Sequence, residues 1–151
     1  MIHKPVDQIT KDDIDALIQN KVAEGRQIEY KRDLPGGTDD ERRKFLADVS
    51  SFANAAGGDL LYGVEAQDGV PKAAPGLAGI NVDAEMLRLD QMQLTGIDPR
   101  IPGVRIHPIL GFARGPALIV RVPDSWASPH MVTFKNLSRF FSRTSAGKYQ
   151  L

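Results

Sequence analysis

The chain has 151 residues, a length that one domain accounts for, and its 42% apolar and 25% charged composition is that of a water-soluble globular protein. Its 19 basic side chains are matched by 19 acidic ones, so any attraction for polyanions has to come from a local field and not from net charge. With no cysteine, disulfide frameworks, thiol nucleophiles and cysteine-based zinc sites are excluded. No apolar run is long enough to cross a membrane, and Met1-Ile2-His3-Lys4-Pro5 followed by acids is not a signal peptide. The default expectation is a cytoplasmic protein with no membrane partner.

Thr10-Lys11-Asp12-Asp13 opens a predicted first helix, with Thr10 as N-cap and Ile14, Leu17, Ile18 and Val22 as its apolar stripe, ended by Gly25. Gln27 to Lys31 alternates as a strand, with Ile28 and Tyr30 facing one way and Gln27, Glu29 and Lys31 the other. Leu34 to Thr38 is a turn. Thr38 and Glu41 form a capping-box start for a second helix whose apolar positions are Phe45, Leu46, Val49, Phe52 and Ala53. Gly57 closes that helix and Gly58 turns the chain into a strand over Leu60–Val64. Gly63, inside that strand, signals close approach by another backbone. Gln67-Asp68-Gly69 is a tight turn, and Pro71 to Gly79 reads as a loop. Asp83 to Leu94 has helical spacing, Asp98 to Gly103 is a breaker, and Val104–Ile109 and Ala117–Val122 are strands of a hairpin. Pro123 to Pro129 is irregular. Leu137 to Arg143 reads as the last strand.

Two sets of residues are candidates for chemistry. Glu24 and Glu29 could hold a divalent cation through oxygen ligands, with Lys31 beside them to offset phosphate charge. On spacing alone the same residues read as a solvated strand edge with a weak ion pair. Arg139, Phe141 and Arg143 share a strand face, followed by Lys148, and two cations around an aromatic ring suit phosphate tracking with base stacking. An edge strand guarded by charged side chains accounts for them equally well. Ser145-Ala146-Gly147-Lys148 is not a phosphate loop, because Ser142 stands where the first glycine belongs. The histidines are scattered, and no nucleophile-elbow pattern is present.

Taken together, Glu29-Tyr30-Lys31, Phe52-Ala53-Asn54 with Gly57-Gly58 and Gly63-Val64, and Arg139-Phe140-Phe141-Ser142-Arg143 resemble the Schlafen-type AlbA-like domain from about Glu24 onward. The resemblance implies an α/β (α+β) fold with a mixed sheet and flanking helices. It also implies a nucleic-acid-binding module of a transcriptional regulator or defence protein, with DNA or RNA as partner. Lys31, Arg139, Arg143 and Lys148 would then contact phosphate, and Phe141 or Tyr149 would stack on bases. In Schlafen proteins the domain can be a metal-dependent endoribonuclease with three carboxylates. Glu24 and Glu29 reproduce the spacing of two of them, Glu65 or Asp68 would be the third, and magnesium or manganese the cofactor. Ala66 stands where the family commonly has a further acid. A third reading is a structural or dimerisation domain forming a homo-oligomer. Bacterial relatives usually continue past the segment matched by Arg143 to Tyr149, so this single domain is expected to be the N-terminal fragment of a longer protein.

Overall fold

The computed structural model describes residues 1–136 and 138–151. Leu137, expected at the start of the last strand, lies outside the described residues. The elements run α1 (Lys11–Gln19), β1 (Ile28–Lys31), α2 (Asp39–Ala53), β2 (Gly58–Tyr62), β3 (Glu65–Gln67), β4 (Val70–Ala73) and α3 (Val82–Gly96). They continue with β5 (Ile97–Asp98), β6 (Arg105–Ile109), β7 (Ala117–Val122), β8 (Met131–Val132), β9 (Arg139–Thr144) and β10 (Gly147–Gln150). The architecture is α+β with mixed sheets, as expected.

The main sheet has the order β1-β2-β7-β6, with β1 and β2 parallel and the other neighbours antiparallel. One face carries Leu60, Tyr62, Leu118 and Val120 and packs against Phe45, Val49 and Phe52 of α2 and Leu89 of α3. The other carries Ile28, Tyr30, Leu61 and Ile119 and is covered by Val6, Ile9 and Ile14 from the N-terminal segment. That segment is tied down by the buried Asp59 carboxylate, which pairs with Arg121 at 2.8 Å and accepts the Ile2 N–H at 2.7 Å. The second sheet, β10-β9-β8-β5, lies over α2.

The local signals around α2 act as the residues suggest. Thr38 accepts the Glu41 N–H, and Glu41 in turn accepts the Thr38 hydroxyl and the Gly36 N–H. Gly57 takes a left-handed φ of +73°, and its N–H closes on the Phe52 carbonyl at 2.8 Å. Gly63 has φ +93°, and a Cβ there would lie 3.1 Å from the Gly76 Cα, which is the close backbone approach expected of it.

Several boundaries differ from expectation, and the short strands β5 and β8 were not expected. The first helix stops at Gln19 and not at Gly25: Lys21 turns to a positive φ of 51°, the Val22 carbonyl accepts the Tyr30 hydroxyl, and the Glu24 N–H bonds to Gly69. Those tertiary bonds use backbone groups that a longer helix would need. The strand after Gly57 runs over 58–62, because the bend at Gly63 ends it. The Pro-rich stretch contains β4, paired with β3 across the left-handed Asp68-Gly69 turn; Pro71 is tolerated because this ribbon has only two strands and free edges. Beyond β9, residues 147–150 form a further strand hairpinned onto it.

Asn54, in the central motif, joins the layers. Its side-chain amide donates to the carbonyls of His130 and Phe141 at 2.9 Å each, and its oxygen accepts the His130 N–H at 2.7 Å. Asn54→Ala leaves these backbone groups without partners. We expect it to cost about 1–3 kcal/mol, read as a lower urea midpoint, with no rescue by Asn54→Asp, whose carboxylate cannot donate to the two carbonyls.

Candidate functional site

The pleat of β1 decides where its charges go. Glu29 lies beside Leu60 and Lys31 beside Tyr62 in the parallel register, so both project onto the α2 face. This corrects the picture of Glu29 as part of a solvated strand edge. Above it is Asp48 of α2, which is 1% exposed. Arg143 and Lys148 sit directly opposite one another in the β9–β10 ladder and leave the hairpin on one side, toward the same acids. Lys148 Nζ is 2.7 Å from Asp48 Oδ1, and Lys31 Nζ is 3.7 Å from Asp48 Oδ2. Glu29 Oε2 is 3.7 Å from an Arg143 nitrogen and 4.0 Å from Lys31 Nζ.

Arg143 is internal. Its side chain is fully buried, its guanidinium donates to the Gly25 carbonyl and to Ser51 Oγ, and it lies 4.1 Å over the Phe52 ring. Burial pushes the Glu29 carboxyl up to about 7, helped by the Asp48 charge and by a hydrogen bond to Asp48 that favours the protonated form; Lys31 and Arg143 oppose this. Burial also raises Glu24, against the pull of Lys31, the Tyr30 N–H and Arg143.

The residues expected to act together are divided. Glu24 lies in the irregular segment before β1 and shares an open depression of about 410 Å³ with Glu65, Ala66, Lys31 and Arg32. Glu65 pairs with Arg32 at 3.3 Å. Glu29 does not line this depression; it turns under α2 to Asp48. Asp68 stands exposed on the β3–β4 turn. Among the described residues, no group of three or more histidine, aspartate and glutamate side chains could hold a metal ion. The donor set Glu24, Glu29 and Glu65 therefore does not fit a shared divalent cation: the pleat sends Glu29 inward, and cationic side chains already surround it. Phe141 is half-buried against the core, while Arg139 is exposed and donates to the Ser138 carbonyl. Arg143 and Lys148 are committed to the buried cluster.

Sequence reasoning missed Asp48, although an acid set among Phe45, Leu46, Val49 and Phe52 on an apolar stripe is a signal of a buried charge. It also missed the surface around Lys31. A second depression, of about 190 Å³, is lined by Lys31, Leu34, Lys44, Asp48 and Tyr62. A third, of about 180 Å³, is lined by Arg32, Leu34, Gly76 and Arg114. The single tryptophan, Trp126, is 87% exposed in the irregular loop before β8. That loop is braced by a 2.7 Å hydrogen bond between Ser125 and the buried His130.

Two solved structures share the fold. The DIP2311 protein from Corynebacterium diphtheriae is 18% identical at a TM-score of 0.54, over 91% of this chain and 25% of that one. The chain thus spans about a quarter of that protein's length. The N-terminal domain of a putative ATP-dependent DNA helicase RecG-related protein from Nitrosomonas europaea is 24% identical at a TM-score of 0.55, over 74% of this chain and 70% of that one. No curated protein matches the chain. Residues 24–151 match the family described as Schlafen, AlbA_2, and by that match the chain belongs to it.

Proposed function

We propose that this domain is a nucleic-acid-binding module of a transcriptional regulator or defence protein. The observation that supports this most is the surface at the carboxyl ends of the parallel strands β1 and β2. Residues 31–34 there form a common wall of three adjoining depressions, which hold the cations Lys31, Arg32, Lys44 and Arg114 beside the acids Glu24, Asp33, Glu41, Asp48 and Glu65. Side chains of Lys31, Arg32 and Lys44 are 40%, 55% and 69% exposed, so they can reach phosphate. Crevices at strand carboxyl ends are where open α/β sheets take ligands. Arg139 adds an exposed cation, and Tyr149 and Trp126 are exposed aromatic rings able to stack on bases. A solved relative of the same fold is named for a DNA helicase-related protein. Arg143 and Lys148 serve the fold in this reading, and contact with nucleic acid falls to Lys31, Arg32, Lys44 and Arg139.

Fluorescence anisotropy with labelled single-stranded and duplex DNA and RNA tests it. Affinity should fall linearly with salt on logarithmic axes, by a slope of about 0.7–0.9 per phosphate contacted. Arg32→Ala with Lys44→Ala and Arg139→Ala should weaken binding about tenfold or more for every sequence alike, with the circular dichroism spectrum unchanged. Absence of binding at low salt, or a triple variant with native affinity, would sink the proposal.

A further inference from the structure

The parallel register of β1 and β2 sets Lys31 beside Tyr62 at the last rung of the pair. The turn leading into α2 brings Leu34 to the same place, and Lys44 and Phe45 come from the helix itself. Between them lies the depression of about 190 Å³. We infer that it is a pocket for one unpaired nucleobase, with the Tyr62 hydroxyl as the group that recognises the base. The inference rests on the nucleic-acid-binding reading above and gives that surface its substrate class, a strand with unpaired bases.

Tyr62 carries the argument. It is 2% exposed, yet it lines the depression. Tyr30, the buried tyrosine on the opposite face of the sheet, gives its hydroxyl to the Val22 carbonyl at 2.6 Å; the Tyr62 hydroxyl has no such partner among the described residues. Buried hydroxyls are normally satisfied, so this one is left for a group that enters the depression. Burial pushes its titration well above the ordinary phenol range, so it keeps its proton and can both donate and accept. Other polar groups there are already engaged. Asp48 pairs with Lys148 and Lys31, and Glu41 accepts the Gly36 N–H and the Thr38 hydroxyl.

Charge and size then select the occupant. Asp33, Glu41 and Asp48 line the depression with Lys31 and Lys44, so a phosphate inside would meet more carboxylates than ammoniums. A neutral ring carries no such penalty, and Leu34 and Phe45 give it apolar walls. Pockets for drug-sized ligands run to about 300–1,000 Å³; this smaller one suits a single ring system. A base within a duplex cannot enter, because its faces are stacked and its edge is paired. Lys44, 69% exposed, and Arg32 in the adjoining depression remain for the flanking phosphates.

The test measures anisotropy with three labelled probes: a single-stranded oligonucleotide, an abasic strand of the same length, and a fully paired duplex. Wild type should bind the base-bearing strand at least about fivefold more tightly than the abasic one. Tyr62→Phe removes only the hydroxyl. It should cut that ratio by about threefold or more and leave the abasic and duplex affinities as in wild type. Leu34→Trp, which fills the depression from the turn, should abolish the ratio and serves if Tyr62→Phe does not fold. A ratio that survives in both variants would place base recognition on Trp126 or Tyr149 and overturn the inference. Equal binding of the base-bearing and abasic strands by wild type overturns the pocket but leaves the phosphate-contact reading standing. Absence of binding to all three probes at low salt overturns both.

Discussion

Arg143→Ala is expected to destabilise the domain by about 3–5 kcal/mol, while Arg139→Ala, four residues earlier on the same strand, changes stability by less than about 0.5 kcal/mol. The two arginines look equivalent in the sequence and are opposites in the fold. Arg143 has no exposed side-chain surface; it serves the Gly25 carbonyl, Ser51, Glu29 and the Phe52 ring together. Its loss strips the Gly25 carbonyl of that donor, removes a cation from beside Glu29 and opens a hole against Phe52. A domain of this size has a total stability of only about 5–15 kcal/mol, so the variant should unfold at a markedly lower urea concentration. Arg143→Lys should not rescue it, because one ammonium cannot stack on a ring and serve both oxygens in the guanidinium's geometry. Arg139 donates to its neighbour's carbonyl and is otherwise in solvent. A loss below about 1 kcal/mol for Arg143→Ala would show that the cluster is not what fastens the hairpin to α2.

That contrast shows how far the residues could be read in advance. The α2 cap, the glycine stop, the strand after it and the β6–β7 hairpin are set by neighbours in the chain, so they were legible. Alternation along β1 gave the right partition of Ile28 and Tyr30 from Glu29 and Lys31. It could not say what covers each face, and the face with the charges turned out to lie under α2. The same gap hid the fate of Arg143 and Lys148, because their environment is made by Gly25, Asp48 and Ser51, all more than ninety residues away in the chain. Asp48 escaped notice because an isolated acid in a helix is ordinarily a surface residue. The candidate carboxylates Glu24, Glu29 and Glu65 are close in sequence pattern, but the pleat of β1 turns Glu29 under α2 while Glu24 and Glu65 line the outer depression. Trp126 sits in a stretch with no periodicity, where nothing local tells an exposed ring from a buried one.

Glu29 gives the domain an expected pH dependence of known sign. Its carboxyl titrates near the ordinary 4.5 when the chain is unfolded and at about 7 in the fold, because burial and Asp48 penalise its charge. The folded state therefore binds the extra proton between these values. Stability from this group is fully present below about pH 4.5 and is lost as pH rises through about 7, by up to about 3 kcal/mol. Glu24, raised by its burial, contributes in the same direction. Glu29→Gln keeps the shape and stays neutral, so it should melt higher than wild type at pH 8.5, and the difference should close toward pH 5. Asp48→Asn should also lower the folded-state titration of Glu29, because Asp48's charge and hydrogen bond are next to burial in raising it. Chemical denaturation at half-unit steps from pH 5 to pH 9 reads all three proteins. If Glu29→Gln follows the wild-type curve at a constant offset, Glu29 is ionised across the range and the cations around it outweigh its burial.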